Sequence, residues 1–238
     1  MKNHPAIILF IADWKGRDRT MLLQTGSIFP SHVYFPTQPY MSQSMILAFL
    51  PYVLVSIAAA FSGWMLTAFI KSKYGKKENP LNIILPVLVS LFLLLRFGFE
   101  MKMIQGFIFC LLLLVASNSD IRTRMVDDYI PIMVVITALI GTTISDLPMM
   151  LLSTVLITIP QHAIAVLKPN TYGGADIKLM AASAFLLELH KGLAAIVIGL
   201  SLAVICTVTI RKMQKKSIQE SFALIPYLAI GCMTSFFL

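Results

Sequence analysis

Thr171-Tyr-Gly-Gly-Ala-Asp-Ile-Lys-Leu-Met180 sets one carboxylate, Asp176, directly after Gly173-Gly174-Ala175 and directly before an apolar run. An acid at the mouth of a greasy segment is costly to keep there and calls for a partner. One stands 56 positions earlier, where Asp120 closes another apolar run in Val115-Ala-Ser-Asn-Ser-Asp-Ile-Arg-Thr-Arg124. Packed together at one membrane level, the two would form an aspartyl dyad.

The composition supports that setting. Of 238 residues, 58% are hydrophobic and 13% charged, and the mean hydropathy is +0.83. A soluble domain carries about 25% charged residues. The chain therefore reads as an all-α, polytopic integral membrane protein. Cys110, Cys206 and Cys232 all lie in apolar runs without metal-ligand spacing, so neither a zinc site nor a disulfide framework is expected. No metal and no other cofactor is called for.

Apolar runs follow one another at 45–70, 81–99, 103–119, 129–145, 147–167, 177–187, 192–210 and 221–238, which predicts about eight transmembrane helices. Met45 to Ile70 holds 26 residues without a charge, enough to cross a core of about 30 Å. Residues 1–44 read as an N-terminal extension, poorly ordered or outside, with 45–238 as a single membrane-embedded domain. Met41 and Met45 stand as alternative starts just before the first long run.

Eight runs make the loops alternate between sides. Loops 71–80, 120–128, 168–178 and 211–220 carry Lys71, Lys73, Lys76, Lys77, Arg122, Arg124, Lys168, Lys178, Arg211, Lys212, Lys215 and Lys216. The opposite loops carry Lys102 and Lys191, with Arg96 nearby. Twelve against three is a positive-inside bias. It puts Asp120 and Asp176 on the cytoplasmic side and attributes the net charge of +8 to topology and anionic lipid rather than to nucleic acid.

Two carboxyls a few ångströms apart share one proton. The charged member can act as base toward water, and the protonated one can donate to the carbonyl under attack. The eleven residues Ile177 to Leu187 span only about 17 Å as a helix, so either the helix stops partway or its polar end sits below the membrane surface, which would draw Asp176 into a recess. Gly173 and Gly174 suit a sharp approach to the helix and close contact with a substrate backbone. No HExxH, Gly-x-x-x-x-Gly-Lys-Ser/Thr or Ser/His/Asp constellation competes.

Gly173-Gly-Ala-Asp-Ile-Lys-Leu-Met-Ala181 resembles the G-x-G-D-x-K-L-x-A motif of type IV prepilin peptidases. Asp120-Ile-Arg-Thr-Arg-Met-Val-Asp-Asp128 resembles the family's first motif, an Asp before a short polar loop ending in Pro-Asp or Pro-Asn. The eight-span layout and Phe222-Ala-Leu-Ile-Pro-Tyr-Leu-Ala-Ile-Gly231 add to the likeness. The resemblance implies Asp120 and Asp176 as the catalytic pair, with Gly173, Gly174, Lys178 and Asp128 as motif or substrate support. It implies prepilin or pseudopilin-like precursors as partners and the bacterial plasma (inner) membrane as location, with the site facing the cytoplasm. Ala175 replaces the motif's second glycine and Asp127 its proline. Lys71 to Pro80 stands where bifunctional members carry a long loop with paired Cys-x-x-Cys motifs, and has no cysteine. A short form without the N-methyltransferase domain is implied.

Plainer roles compete for each residue. Asp176 could be a helix-end acid held by the dipole, and Asp120 a loop acid paired with Arg122 or Arg124. Asp127 and Asp128 could be solvated loop charges or a cap. Lys178 could reach lipid phosphate, and Arg211 to Lys216 could anchor the chain at the inner surface. Gln161 and His162 read as a buried pair bonding between helices. For the whole chain the alternatives are a preflagellin peptidase or another Gly-x-Gly-Asp intramembrane protease, a small proton- or cation-coupled transporter, and a structural subunit of a secretion apparatus.

Overall fold

A computed structural model describes residues 43–74, 80–168, 173–214 and 223–238. The N-terminal extension, Lys76, Lys77, Lys215 and Lys216 lie outside the described residues. Those described are helical, with no strand among them. The helices are α1 (Gln43–Tyr74), α2 (Leu81–Phe97), α3 (Met101–Thr123), α4 (Tyr129–Ala138), α5 (Leu147–Leu167), α6 (Gly174–Gln214) and α7 (Ile225–Phe237), with a 3₁₀ turn at Ile144–Asp146.

Helix α6 is two limbs. Glu188, at φ 63° and ψ −178°, interrupts it, a backbone state that costs a non-glycine residue about 1–3 kcal/mol. The chain reverses there: a Cβ on Gly192 would meet the Ala184 Cα at 3.6 Å, although eight residues of straight helix span about 12 Å. Counting the limbs, eight helical segments follow in the order the apolar runs predict. Four helices are long and apolar enough to cross a bilayer by length and composition, at Leu50–Lys73, Met101–Thr123, Ile144–Leu167 and Gly174–Ile210.

The fourth segment is shorter than its apolar run. Helix α4 stops at Ala138, and Gly141 follows at φ 74°. The Gln105 side-chain amide from α3 donates to the carbonyls of Thr137, Ala138 and Ile140 at 3.3, 3.0 and 3.2 Å. These bonds satisfy carbonyls that a helix end leaves orphaned, so the chain can turn at this depth.

Apolar residues lie on both sides of the fold's surface. Leu93, Phe109, Leu113, Ile130, Leu179 and Ile225 are buried at its centre, while Ile57, Phe61, Trp64 and Met65 on α1 are each about 60% exposed. So wide an apolar exterior suits lipid rather than water. Between helices in lipid, close packing replaces the hydrophobic drive. Gly231 of α7 fits against the Ala195 carbonyl and Gly199 on the second limb of α6, where any Cβ would clash. That contact packs α7 directly on the second limb of α6.

The loops sort into two ends. Lys73 meets Asp127, Lys178 meets Asp128, and Asp120 meets Ile225 at one end. Phe97, Lys102, Gly141, Asp146, Glu188 and Lys191 surround a shared cavity of about 260 Å³ at the other. This is the division that alternating spans require.

Candidate active site

Asp120 lies in the last turn of α3 and is 7% exposed. The helix ends four residues later at Arg124, in the left-handed region at φ 57°, whose N–H donates to the Asp120 carbonyl at 3.0 Å. The following loop is pinned back onto the helix. Ser119 and Thr123 hydroxyls donate to the Met125 carbonyl at 2.6 and 3.0 Å, and Val126 joins the apolar core.

The Asp120 carboxylate reaches the start of α7. Its Oδ2 accepts from the Ile225 N–H at 3.1 Å. Free N–H groups at a helix N-terminus favour an anion. Pro226, in the first turn, has no N–H to satisfy. Arg124 is within electrostatic reach of the same carboxylate, in line with the simpler pairing considered for Asp120.

Asp176 sits in the first turn of α6, which begins at Gly174, earlier than the apolar run alone implies. Its Oδ2 accepts from the Gly173 N–H at 3.2 Å, while its own N–H donates to the Gly173 carbonyl at 3.1 Å. An acid reaching back in this way is half of a capping box. Asp176 is half-buried, and Leu179 and Met180 behind it are buried. Asp120 lies close enough to act electrostatically on its carboxylate. The two acids are therefore neighbours at the mouths of α3 and α6.

The motif residues behave unequally. Lys178 Nζ pairs with Asp128 Oδ1 at 2.7 Å, joining the helix that bears Asp176 to the loop after Asp120. Both are well exposed, at 58% and 73%. Gly173 and Gly174 serve different ends from those expected. Neither has a left-handed φ. A Cβ on Gly173 would stand 3.0 Å from Asp176 Oδ2, whereas Gly174 faces open space. Ala175 packs against the apolar core.

Two contributors escaped the sequence. The Ile225 N–H is a backbone group with no side-chain signature, although Pro226 marks a helix start. Lys73, at the end of α1, pairs with Asp127 at 2.5 Å and lies 5.0 Å from the centre of the Tyr129 ring. One expectation is corrected: Gln161 and His162 do not form a buried pair bonding to another helix. Gln161 is buried with its Nε2 unpartnered among the described residues, while His162 is exposed on the next position of α5. Adjacent helical residues point about 100° apart. No group of three or more His, Cys, Asp or Glu side chains among the described residues could hold a metal ion.

Residues 107–208 match the model of the type IV leader peptidase family. Over that stretch the chain is similar to the type IV leader peptidase family. The match contains Asp120, Asp176, Asp128 and Lys178; α1, α2 and α7 lie outside it. Comparison with curated proteins and with solved structures gives no match. The likeness is to a protease family, here on a fold that includes four helices long and apolar enough to cross a membrane.

Proposed function

We propose that the chain is a membrane aspartic endopeptidase that removes the basic leader from type IV prepilin or pseudopilin-like precursors. It works at the cytoplasmic face of the bacterial plasma membrane, with residues 45–238 as one membrane-embedded peptidase domain. One observation carries the reading: Asp120, far from Asp176 in sequence, lies within electrostatic reach of its carboxylate at the mouths of two helices. The matched family segment and the positive-inside charge count support it.

In this mechanism the dyad holds one proton between its two carboxyls. The ionised member takes a proton from a water molecule as the water oxygen bonds to the scissile carbonyl carbon. The protonated member gives its proton to the carbonyl oxygen. Collapse of the tetrahedral diol breaks the C–N bond: the dyad gives its proton to the departing amine and takes one back from a diol hydroxyl as the C=O bond reforms. The Ile225 and Gly173 N–H groups hold one oxygen of each carboxylate. The short loop between α1 and α2, without cysteine, belongs to a form lacking the N-methyltransferase domain.

Co-expression with candidate precursors, read by N-terminal sequencing of the product, tests the function. A new N-terminus just after a basic leader is expected. Precursors left intact by an inserted, folded chain would overturn it.

A further inference from the structure

Helices α2 and α7 both pack on α3 but meet each other only toward the end away from Asp120. There Phe92 stacks edge-on with Phe237, and Phe97 with Phe236, each pair with ring centres 5.7 Å apart. Nearer the acids the two helices stand apart around an apolar groove of about 680 Å³. Leu85, Leu88, Leu114, Ile230 and Met233 are among its walls. Each helix contributes twelve residues of its length, from Leu81 to Phe92, Cys110 to Ile121 and Pro226 to Phe237, so the groove is about 17 Å long. Its acid end is flanked by Ile121 and Pro226, the chain neighbours of Asp120 and of the Ile225 N–H that holds it. The groove thus ends one residue along the chain from Asp120 and from Ile225, neither of which lines it.

One polar pair interrupts the apolar lining. Asn118 Nδ2 donates to Asn82 Oδ1 at 3.0 Å and to the Leu114 carbonyl at 2.9 Å. Asn82 is only 3% exposed, and its own Nδ2 has no hydrogen-bond partner among the described residues. Ser117 and Thr234, also in the lining, satisfy their hydroxyls on the carbonyls of Leu113 and Ile230. Asn82 therefore holds the lining's unmet donor, and a buried unmet donor costs about 1–3 kcal/mol. An acyl chain brings no acceptor to answer it. A polypeptide does. Where a precursor is cut, its backbone must be extended, and its carbonyls there lack intrahelical partners.

We propose that this groove seats the apolar helix of the precursor, with the Asn82–Asn118 pair holding the extended backbone ahead of that helix. The proposal rests on the peptidase reading and adds the surface that positions the substrate. The groove aligns about three helical turns of the precursor, which sets the register of the scissile bond against Asp120 and Asp176. Asn82 is a positioning residue, since it touches backbone beside the reacting bond rather than the reacting atoms.

The test uses the full chain in vesicles of phosphatidylethanolamine and phosphatidylglycerol. The probe is a reporter with a basic leader followed by a 20-residue apolar helix. A photocrosslinking amino acid is placed at Leu88 or Ile230 in the groove, and as a control at Ile159, which is 60% exposed on α5. Crosslinks from Leu88 and Ile230 to the reporter helix, and none from Ile159, are expected. Asn82→Leu raises KM about fivefold with kcat within twofold, the effect of one lost hydrogen bond, and Leu88→Trp raises KM by obstructing the groove. Groove crosslinks without any cleavage leave the groove standing and overturn the peptidase reading. Cleavage with equal crosslinking at Ile159, or with groove adducts only to phospholipid or to a second copy of the chain, overturns the groove and spares the peptidase. A fall in kcat with KM unchanged in Asn82→Leu also overturns the positioning role.

Discussion

The Asp120 carboxylate accepts a hydrogen bond at 3.1 Å from the backbone of Ile225, 105 positions later in the chain. Helix α7 thus presents its N-terminus to the first acid while Asp176 stands at the N-terminus of α6. Replacing Ile225 with proline removes this N–H at a position where a helix tolerates proline. A hydrogen bond to a charged group contributes about 1.5–3 kcal/mol. We expect Ile225→Pro to lower kcat/KM by roughly tenfold to a hundredfold, and Ile225→Val, which keeps the N–H, to change it little. Steady-state cleavage of a reporter precursor checks this.

The Lys178–Asp128 pair joins the two acid-bearing segments, yet both partners are exposed. Its direct contribution to stability is about 0.2–1 kcal/mol. Lys178→Met and Asp128→Asn should each lower activity modestly. The double variant should fall short of their sum, giving a coupling energy in that same small range. Strict additivity in the double-mutant cycle would mean that the contact does not connect the loops in solution.

Asp127 occupies a position where the resembled motif has proline, and Lys73 from α1 reaches it. An ion pair here takes over the restraint that a proline ring gives. Lys73→Ala should therefore raise amide exchange across residues 124–128 and reduce cleavage. In an Asp127→Pro background the same change should have little effect. Hydrogen exchange by mass spectrometry on both backgrounds measures it.

The two glycines before Asp176 should separate cleanly. Gly174→Ala meets open space and should leave cleavage within about twofold, since surface changes rarely exceed 0.5 kcal/mol. Gly173→Ala places a methyl 3.0 Å from Asp176 Oδ2 and should displace that carboxylate. Parallel kinetics of the two variants decide the matter, and equal effects would contradict the assigned geometry.

Much of this arrangement was legible in the chain because membrane helices announce themselves by uncharged length and by the charges that flank them. The order of the eight segments, the division of the loops between two ends, and the placement of Asp120 and Asp176 at the same end all follow from such patterns. What remained hidden is carried by groups without a pattern. The Gln105 amide that ends α4 early looks like any polar residue within an apolar run. The reversal at Glu188 uses a backbone state that its side chain does not advertise. Lys73 was counted as one topological charge among twelve, and its partner Asp127 could be known only from the packing of α1 beside the loop.

The most direct measurement is cleavage of a leader-bearing precursor by the purified, reconstituted chain carrying Asp120→Asn or Asp176→Asn, read by mass spectrometry of the product's N-terminus. Each variant should insert and fold like the unaltered protein and lose cleavage by at least about 10²–10⁴-fold, the scale of general acid–base catalysis. Unchanged processing in either variant would contradict a shared aspartyl dyad.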